Sequence, residues 1–261
     1  MLNVDEHFVP NDDGWLLHLE RATVPSALNR RLRPIAIVPG YGMNGFIFGF
    51  HPRGLSMRHA LAQAGFEVWT LNLRAQGASR ALGKRSPPAT LRALAEVDLL
   101  AAVRAVRQRT DTTAGAVDLI GCSLGGTLAY GLVALRPDAP IGAVAAVGSP
   151  LRWVDPHPAL RLATASPRLA GMVRTRGTRR AAELALPALT RVPSVLSLYM
   201  NPAHVDLSAA AELVKTVEDP SPRVNREIAA WVQRRDLLLR GVNVTEAVGQ
   251  AIHIHYDDGD Q

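Results

Sequence analysis

The sequence predicts an α/β domain with a mostly parallel sheet and helices on both faces. Short apolar runs recur along the first half of the chain and helical segments separate them. The composition, with 48% hydrophobic and 20% charged residues, is that of a globular protein. A run that is apolar on both faces is typical of a buried parallel strand. Strands that alternate with helices imply crossover connections, which place helices on both faces of the sheet.

The elements of this sheet follow in chain order. Residues 14–24 alternate between apolar and other residues and predict an early strand. Apolar runs predict four buried strands, at 35–38, 66–73, 117–120 and 141–147. Segments with helical spacing predict the helices between them, at 55–64, 90–109 and 124–136. The first helix is expected to stop at Gly65 and the last at Pro137.

The pattern changes at about residue 150. Nine prolines between Pro150 and Pro222 divide this part into short helical pieces without strand signals. We interpret residues 1–149 as the core, 150–240 as a helical cap or lid inserted over the sheet, and 241–261 as a return to the core. Within that return, residues 251–256 predict one more strand.

The charge does not indicate a nucleic-acid partner, although the net charge is +6. Lys84 and Lys215 are the only lysines, so the positive charge is almost entirely arginine. The densest basic stretch, from Arg168 to Arg180, lacks the interleaved aromatic residues with which single-strand binders stack on bases. We therefore expect a solvated basic surface.

The chain carries no signal for secretion or membrane insertion. Its first residues are acidic where a signal peptide has positive charge, and no run approaches the roughly 18 apolar residues of a membrane span. Cys122 is the single cysteine, which excludes an intramolecular disulfide and a multi-cysteine zinc site. We expect a cytoplasmic protein without a metal or cofactor, and its oligomeric state stays open.

The segment Gly121-Cys122-Ser123-Leu124-Gly125-Gly126 lies between a predicted strand and a predicted helix. A sharp strand-to-helix turn holds a serine hydroxyl clear of the backbone, and glycines two residues before and after it leave room for the neighbouring chain. This placement predicts that Ser123 is a nucleophile. The alternative is a glycine-rich turn with Ser123 as a helix cap.

The loop Pro39-Gly40-Tyr41-Gly42-Met43 directly follows the strand 35–38. Acyl transfer forms an oxyanion, which needs hydrogen-bond donors already in place. Together with Ser123 as nucleophile, this loop predicts the backbone N–H groups of Tyr41 and Leu124 as the two donors. The alternative is a flexible glycine turn.

The run from Ile35 to Pro150 resembles the core of the α/β-hydrolase superfamily. The matching motifs are PGYG at 39–42, LNLRAQGAS at 71–79, GCSLGG at 121–126 and AVGSP at 146–150. Residues 51–74 resemble polyhydroxyalkanoate synthases and their lipase-like relatives. Those synthases have cysteine at the nucleophile position, which is Ser123 here, with Cys122 one residue earlier. This departure favours an esterase or lipase and predicts Cys122 as a small buried hydrophobic residue.

The resemblance implies a further acid after a late strand and then a histidine. Asp258, which follows the predicted strand 251–256, matches the acid best; the alternative is a charged, frayed terminus. No histidine follows Asp258. The sequence therefore predicts either a C-terminally truncated hydrolase without its last strand and helix, or a base from elsewhere in the chain. The histidines considered for that role are His51, His59, His157, His204, His253 and His255.

The expected reaction is hydrolysis of a small carboxylic ester through an acyl-serine intermediate, impaired by loss of the histidine segment. Two alternatives remain open at this point. The first is acyl transfer to an alcohol or thiol, as the synthase resemblance implies. The second is a non-catalytic remnant of a hydrolase.

Overall fold

The computed structural model describes residues 1–172, 177–189 and 206–251. A central sheet has the strand order β1-β2-β4-β3-β6-β7, and β5 pairs with β2. Its strands are β1 (Asn3–Pro10), β2 (Trp15–Thr23), β3 (Ile35–Val38), β4 (Val68–Asn72), β5 (Arg80–Ala81), β6 (Val117–Cys122) and β7 (Ile141–Val147).

The four predicted core strands, β3, β4, β6 and β7, are parallel to one another. The strands β1 and β2 are antiparallel and extend the sheet beyond β4. Because β3 lies between β4 and β6, the loops that follow β3 and β6 leave the sheet side by side at its carboxyl end. This topological position is where open α/β sheets bind ligands.

Helices cover both faces of the sheet, so the predicted fold class is confirmed. In the first half of the chain they are α1 (Phe46–Gly49), α2 (Met57–Gln63), a π-helical segment (Ala93–Leu99) that continues into α3 (Leu100–Arg109), and α4 (Leu124–Leu135). On one face, Ala62 of α2 packs with Ile35 and Val68. On the other face, α3 and α4 pack with Trp69 and Leu119 in the larger core.

The chain after β7 is largely helical in the residues that the structure describes. Its elements are α5 (Pro158–Ala163), α6 (Pro167–Ala170), α7 (Thr178–Leu189), a 3₁₀ turn (Leu207–Ala209), α8 (Ala210–Leu213), a second 3₁₀ turn (Val214–Thr216), α9 (Pro222–Arg234), β8 (Leu238–Leu239), β9 (Val242–Asn243) and α10 (Val244–Ala251). Pro158, Pro167 and Pro222 begin helices, where a missing N–H costs nothing.

The structure corrects several of the predicted elements. The strand β1 was not predicted, because Asp5, Glu6 and its other polar residues leave no clear alternation of apolar residues. The hairpin β8–β9 begins at Leu238, inside a segment predicted to lack strands. Ala251, the first residue of the predicted strand 251–256, ends α10 instead. Residues 252–256 lie outside the described part of the chain.

The strand β7 is not buried as its composition predicts. Only Ile141, Val144 and Ala146 are partly covered, and Val147 is 58% exposed. Within the described residues β7 pairs with β6 alone, so it forms an edge of the sheet. An apolar run therefore predicted the strand correctly but predicted its surroundings wrongly.

A buried ion pair joins the loop after β4 to the π-helical segment. The side chains of Arg74 and Asp98 are both fully buried, and two guanidinium nitrogens of Arg74 donate to the Asp98 carboxylate at 2.6–3.0 Å. The backbone N–H of Arg74 and the amide of Asn11 also donate to Asp98, at 2.9 Å and 2.6 Å. This network replaces the water that both charges lose on burial.

No helix within the described ranges is long and apolar enough to cross a bilayer.

Candidate active site

Ser123 stands at the sharp turn between β6 and α4. Its backbone angles are φ 51° and ψ −122°, in the left-handed half of the map that residues other than glycine rarely adopt. Such strain persists only where the surrounding structure enforces it, and it is concentrated at functional sites. Ser123 itself is exposed, whereas Leu124 after it is buried. The turn thus presents the serine hydroxyl outward from the end of the central strand.

Close packing explains the glycines on either side of Ser123. A Cβ atom on Gly121 would lie less than 3.0 Å from the backbone of Gly126. A Cβ atom on Gly125 would come equally close to the carbonyl oxygen of Val38, in β3. Since backbone cannot yield as a flexible side chain can, both positions require glycine. The motif read from the sequence is therefore a packing requirement of this turn.

The end of β7 holds the turn in place. The Ser123 N–H donates to the carbonyl oxygen of Val147 at 2.8 Å. The Ser149 hydroxyl donates to the carbonyl oxygens of Gly121 and Val147, each at 3.2 Å. The backbone of β7 and the residues after it therefore fix where the serine begins its turn.

The loop after β3 is fastened beside Ser123. The Gly42 carbonyl accepts the Glu218 N–H at 2.8 Å, and the Asn44 N–H donates to the Thr216 carbonyl at 2.9 Å. The Tyr41 hydroxyl donates to the side-chain oxygen of Asn225 in α9. These contacts fasten the backbone of the loop beside the turn that carries Ser123.

Ser123, Tyr41 and Leu124 line one cavity of about 510 Å³. Its remaining described walls come from the residues after β7 and from α5, α6 and α9: Gly148, Pro150, Trp153, Leu160, Ala163, Thr164, Ala170, Asn225, Ile228 and Trp231. The described lining is mostly apolar and contains no charged side chain. At the start of α4, the first N–H groups have no acceptor within the helix, and the positive end of the helix dipole lies there.

Cys122 does not share the exposure of Ser123. It is half-buried and packs with Ile120 against the core on the α2 face of the sheet. Burial raises the pKa of its thiol, so the thiolate is disfavoured. The predicted hydrophobic role of Cys122 agrees with this environment.

The histidines in the described part of the chain lie away from the lining of this cavity. His7 packs against Trp69 in the sheet, with ring centroids 4.8 Å apart, and His18 contacts Asn72. His51 and His157 accept nearby backbone N–H groups through Nδ1, and His59 lies in α2. His204, His253, His255 and the predicted acid Asp258 lie outside the described residues, so their roles stay predictions.

Sequence reasoning missed the residues that α9 contributes. Asn225, Ile228 and Trp231 follow one another at intervals of three residues and line the cavity together. This spacing places side chains on one face of a helix. The signal was present in the sequence, but an amphipathic helix usually packs its apolar face on a core, so the pattern alone does not indicate a binding wall.

One cluster among the described residues has the composition of a metal site, in β1 and β2. The candidate ligand atoms of Glu6, His18 and Glu20 lie within 4.8 Å of one another. The amide of Asn72 accepts the Gly45 N–H through its oxygen and donates from its nitrogen to His18 Nδ1 at 3.0 Å. His18 Nδ1 is therefore the acceptor nitrogen, and neutral His18 carries its proton on Nε2. Since a metal-bound histidine usually donates from its other nitrogen, the arrangement does not favour a metal.

The comparisons with known proteins agree with this architecture. Residues 35–258 match the model of the alpha/beta hydrolase family. No curated protein matches the chain at a significant level. The chain is similar in structure to a carboxylesterase of the ammonia-oxidizing thaumarchaeon Nitrososphaera gargenis, with TM-score 0.57 and 16% identity over 93% of this chain and 75% of that one.

Two further structures are similar over most of their length. An alpha/beta hydrolase of Novosphingobium aromaticivorans aligns with TM-score 0.53 and 19% identity, over 86% of this chain and 70% of that one. A thioesterase domain from the curacin biosynthetic pathway aligns with TM-score 0.53 and 16% identity, over 95% of this chain and 78% of that one. At these identities the likeness concerns the fold.

Proposed function

The chain belongs to the alpha/beta hydrolase family, and from this premise we propose that it hydrolyses carboxylic esters through an acyl intermediate on Ser123. One observation carries the proposal: Ser123, strained and exposed at the turn after β6, opens into the same apolar cavity as Tyr41 and Leu124. The esterase and thioesterase neighbours make an acyl substrate the natural first test.

In the first step, the Ser123 hydroxyl oxygen attacks the ester carbonyl carbon and gives its proton to a base. The carbonyl oxygen becomes an oxyanion, which accepts hydrogen bonds from the N–H groups of Leu124 and Tyr41. Removing one such donor from a serine hydrolase costs about 10²- to 10³-fold in rate. When the intermediate collapses, the C–O bond to the alcohol breaks, and the alcohol leaves with the proton. Ser123 then carries the acyl group.

In the second step, water attacks the acyl-serine carbonyl carbon and its proton passes to the base. The same two N–H groups stabilise the second oxyanion, because the carbonyl oxygen occupies the same place. Collapse releases the carboxylic acid and restores the Ser123 hydroxyl. The apolar wall formed by Ile228 and its neighbours keeps bulk water away from the acyl group.

A fluorophosphonate probe tests the nucleophile directly. We expect one probe per chain on Ser123, measured by intact mass and peptide mapping, and no labelling of Ser123→Ala. Cys122→Ala is the matched control: it removes the thiol next to Ser123 and should keep the labelling. Labelling that persists in Ser123→Ala, or that disappears in Cys122→Ala while its circular dichroism is unchanged, contradicts the proposal.

The acid and the base are tested by the rate of labelling. Replacing a triad member typically lowers acylation by several orders of magnitude. Asp258→Asn and single histidine-to-alanine variants, with His7 and His18 as controls inside the sheet, should identify which group accelerates labelling. If all variants label as slowly as the parent chain, no base assists Ser123. In that case we expect turnover of short esters to be correspondingly low.

A further inference from the structure

The side chain of Glu218 joins three segments that meet beside the loop after β3. One oxygen of its carboxylate, Oε1, accepts a side-chain N–H of Asn44 at 2.6 Å, the backbone N–H of Gly77 at 2.9 Å and a guanidinium N–H of Arg179 at 3.3 Å. These three donors belong to the loop after β3, the loop after β4 and α7. Glu218 therefore links two loops at the carboxyl edge of the sheet to the helical part of the chain.

The backbone of Glu218 holds the loop after β3 as well. Its N–H donates to the Gly42 carbonyl at 2.8 Å, and Met43 forms an antiparallel bridge with Val217. The loop is thus held on both sides of Met43. The backbone of Glu218 bonds to Gly42 before it, and the carboxylate bonds to Asn44 after it.

The other end of this loop packs directly on the nucleophile turn. A Cβ atom on Gly40 would lie 3.2 Å from the Cβ of Ser123 and from the carbonyl oxygen of Cys122, which is closer than most real contacts of such an atom. Tyr41 follows Gly40 and precedes the residues that Glu218 holds. The position of the Tyr41 N–H relative to Ser123 therefore depends on both attachments.

The amide of Asn44 makes the loop sensitive to the carboxylate. Asn44 is only 5% exposed, and its side-chain oxygen accepts the Phe46 N–H at 2.9 Å. Its side-chain nitrogen donates to the Lys215 carbonyl at 2.9 Å and to Glu218. Without the carboxylate, one N–H of this buried amide has no acceptor, which is costly. We therefore expect loss of the Glu218 side chain to displace the loop.

We propose that Glu218 is a positioning residue for the reaction at Ser123: its carboxylate holds the loop after β3 so that the Tyr41 N–H points at the oxyanion. The inference rests on the proposed function, because it takes Ser123 as the nucleophile and Tyr41 as an oxyanion donor. The oxyanion exists only after attack on the ester. A displaced donor therefore weakens stabilisation of the transition state and leaves binding of the uncharged ester unchanged.

Single-turnover acylation by p-nitrophenyl butyrate tests this role. With the full-length chain in excess over the ester, release of p-nitrophenol reports acylation alone, and Ser123→Ala gives the background. We expect Glu218→Ala to lower the acylation rate constant at saturation by about 10- to 100-fold, because a donor misplaced by about 1 Å can cost that much. The chain concentration at half-saturation should stay within about twofold.

Glu212→Ala is the matched control for removing a carboxylate from the same part of the chain. Glu212 pairs with Lys215 at 2.8 Å, and both side chains are about half exposed. Neither the rate constant nor the half-saturation concentration should change by more than about twofold in this variant, since an exposed ion pair contributes little.

Two conservative substitutions separate the oxygen of Glu218 from its charge. All three bonds go to Oε1, and Oε2 accepts no hydrogen bond among the described residues. Glutamine keeps an oxygen in the place of Oε1, whereas aspartate keeps the charge on a side chain one methylene shorter. We expect Glu218→Gln to acylate within about threefold of the parent rate and Glu218→Asp to be slower by about tenfold. If Glu218→Ala does not fold by circular dichroism, this pair decides the question.

The outcomes separate the positioning role from the proposed hydrolysis. An unchanged rate constant in Glu218→Ala, or a change confined to half-saturation, overturns the positioning role. Faster acylation by Glu218→Asp than by Glu218→Gln also overturns it, because the charge paired with Arg179 would then matter and not the placed oxygen. A parent chain that releases no p-nitrophenol dependent on Ser123 overturns the proposed hydrolysis and the positioning role with it.

Discussion

The strands β4 and β7 are both apolar in sequence, yet they occupy opposite environments around the candidate site. Every residue of β4 is buried, and β4 lies between β2 and β3. In β7, most residues are exposed, namely Gly142, Ala143, Ala145 and Val147, and the strand pairs only with β6 in the described structure. An apolar run thus indicates that a strand can be buried on both faces, but neighbouring elements decide whether it is.

The two strands also support the site in different ways. On the β4 side, a side chain supports the site: the side-chain oxygen of Asn72 accepts the Gly45 N–H at 2.8 Å and so positions the loop after β3. On the β7 side, the backbone of the strand supports the site, because the Val147 carbonyl accepts the Ser123 N–H. Side-chain substitutions should therefore be costly near β4 and nearly neutral in β7, even though both strands adjoin the site.

The largest expected contrast in stability is between two ion pairs, one on the β4 side of the site and one on the β7 side. Asp98→Ala leaves the buried guanidinium of Arg74 without its main partner and should lower the free energy of unfolding by about 3–5 kcal/mol. Asp236→Ala breaks a pair with Arg152, whose side chain is 53% exposed, and should cost at most about 1 kcal/mol. Urea unfolding followed by circular dichroism measures both. Equal losses in the two variants would contradict the comparison.

The same substitution in the two strands gives a smaller contrast. Val68→Ala in β4 removes two buried methyl groups and should cost about 2 kcal/mol, from lost burial and the cavity left behind. Val147→Ala in β7 should change stability by no more than about 0.5 kcal/mol. Because both positions lie in strands, the difference in β propensity between valine and alanine contributes to both variants and largely cancels when they are compared. If Val147→Ala is as destabilising as Val68→Ala, β7 is covered in solution.

The sequence predicted the core of this fold because local patterns determine it. Strands β3, β4 and β6 are short apolar runs, and the glycines around Ser123 mark a turn that only glycine can pack. Features that depend on distant contacts were not accessible. The exposure of β7 depends on what lies beside it, and the cavity wall at Trp153 and Trp231 requires parts of the chain that are far apart in sequence to meet.

The start of the predicted strand 251–256 shows a further limit of sequence reading. Its first residue, Ala251, ends a helix, while the role of Asp258 after it stays a prediction. A short alternating run next to a helix does not determine where one ends and the other begins. The elbow at Ser123 did not share this ambiguity, since its flanking strand and helix are both long and distinct.

The smallest expected effect is the pH dependence of stability that one carboxylate near β4 and one near β7 contribute. Near β4, Arg21 donates to Asp111 and to Glu67, and the hydrogen bond from Arg21 holds the pKa of Asp111 below its ordinary value. A lowered folded pKa means that Asp111 stabilises the fold above its unfolded pKa of about 3.9, and that this contribution is lost as the pH falls through the folded pKa. Asp111→Asn should therefore lower the free energy of unfolding at pH 7 by less than about 1 kcal/mol, since Asp111 is half exposed.

The difference between Asp111→Asn and the parent chain should shrink as the pH falls below about 4, when the unfolded chain binds the same proton. Asp138→Asn, near the start of β7, is the matched control. The bond from Arg136 also lowers the pKa of Asp138, but the Asp138 side chain is 63% exposed against 48% for Asp111, so the change at pH 7 should be smaller. Urea unfolding of the three chains at pH 7, 4 and 3 measures the differences. A destabilisation by Asp111→Asn that stays constant or grows towards pH 3 would show that packing, and not the charge on Asp111, links Arg21 to the β4 side of the sheet.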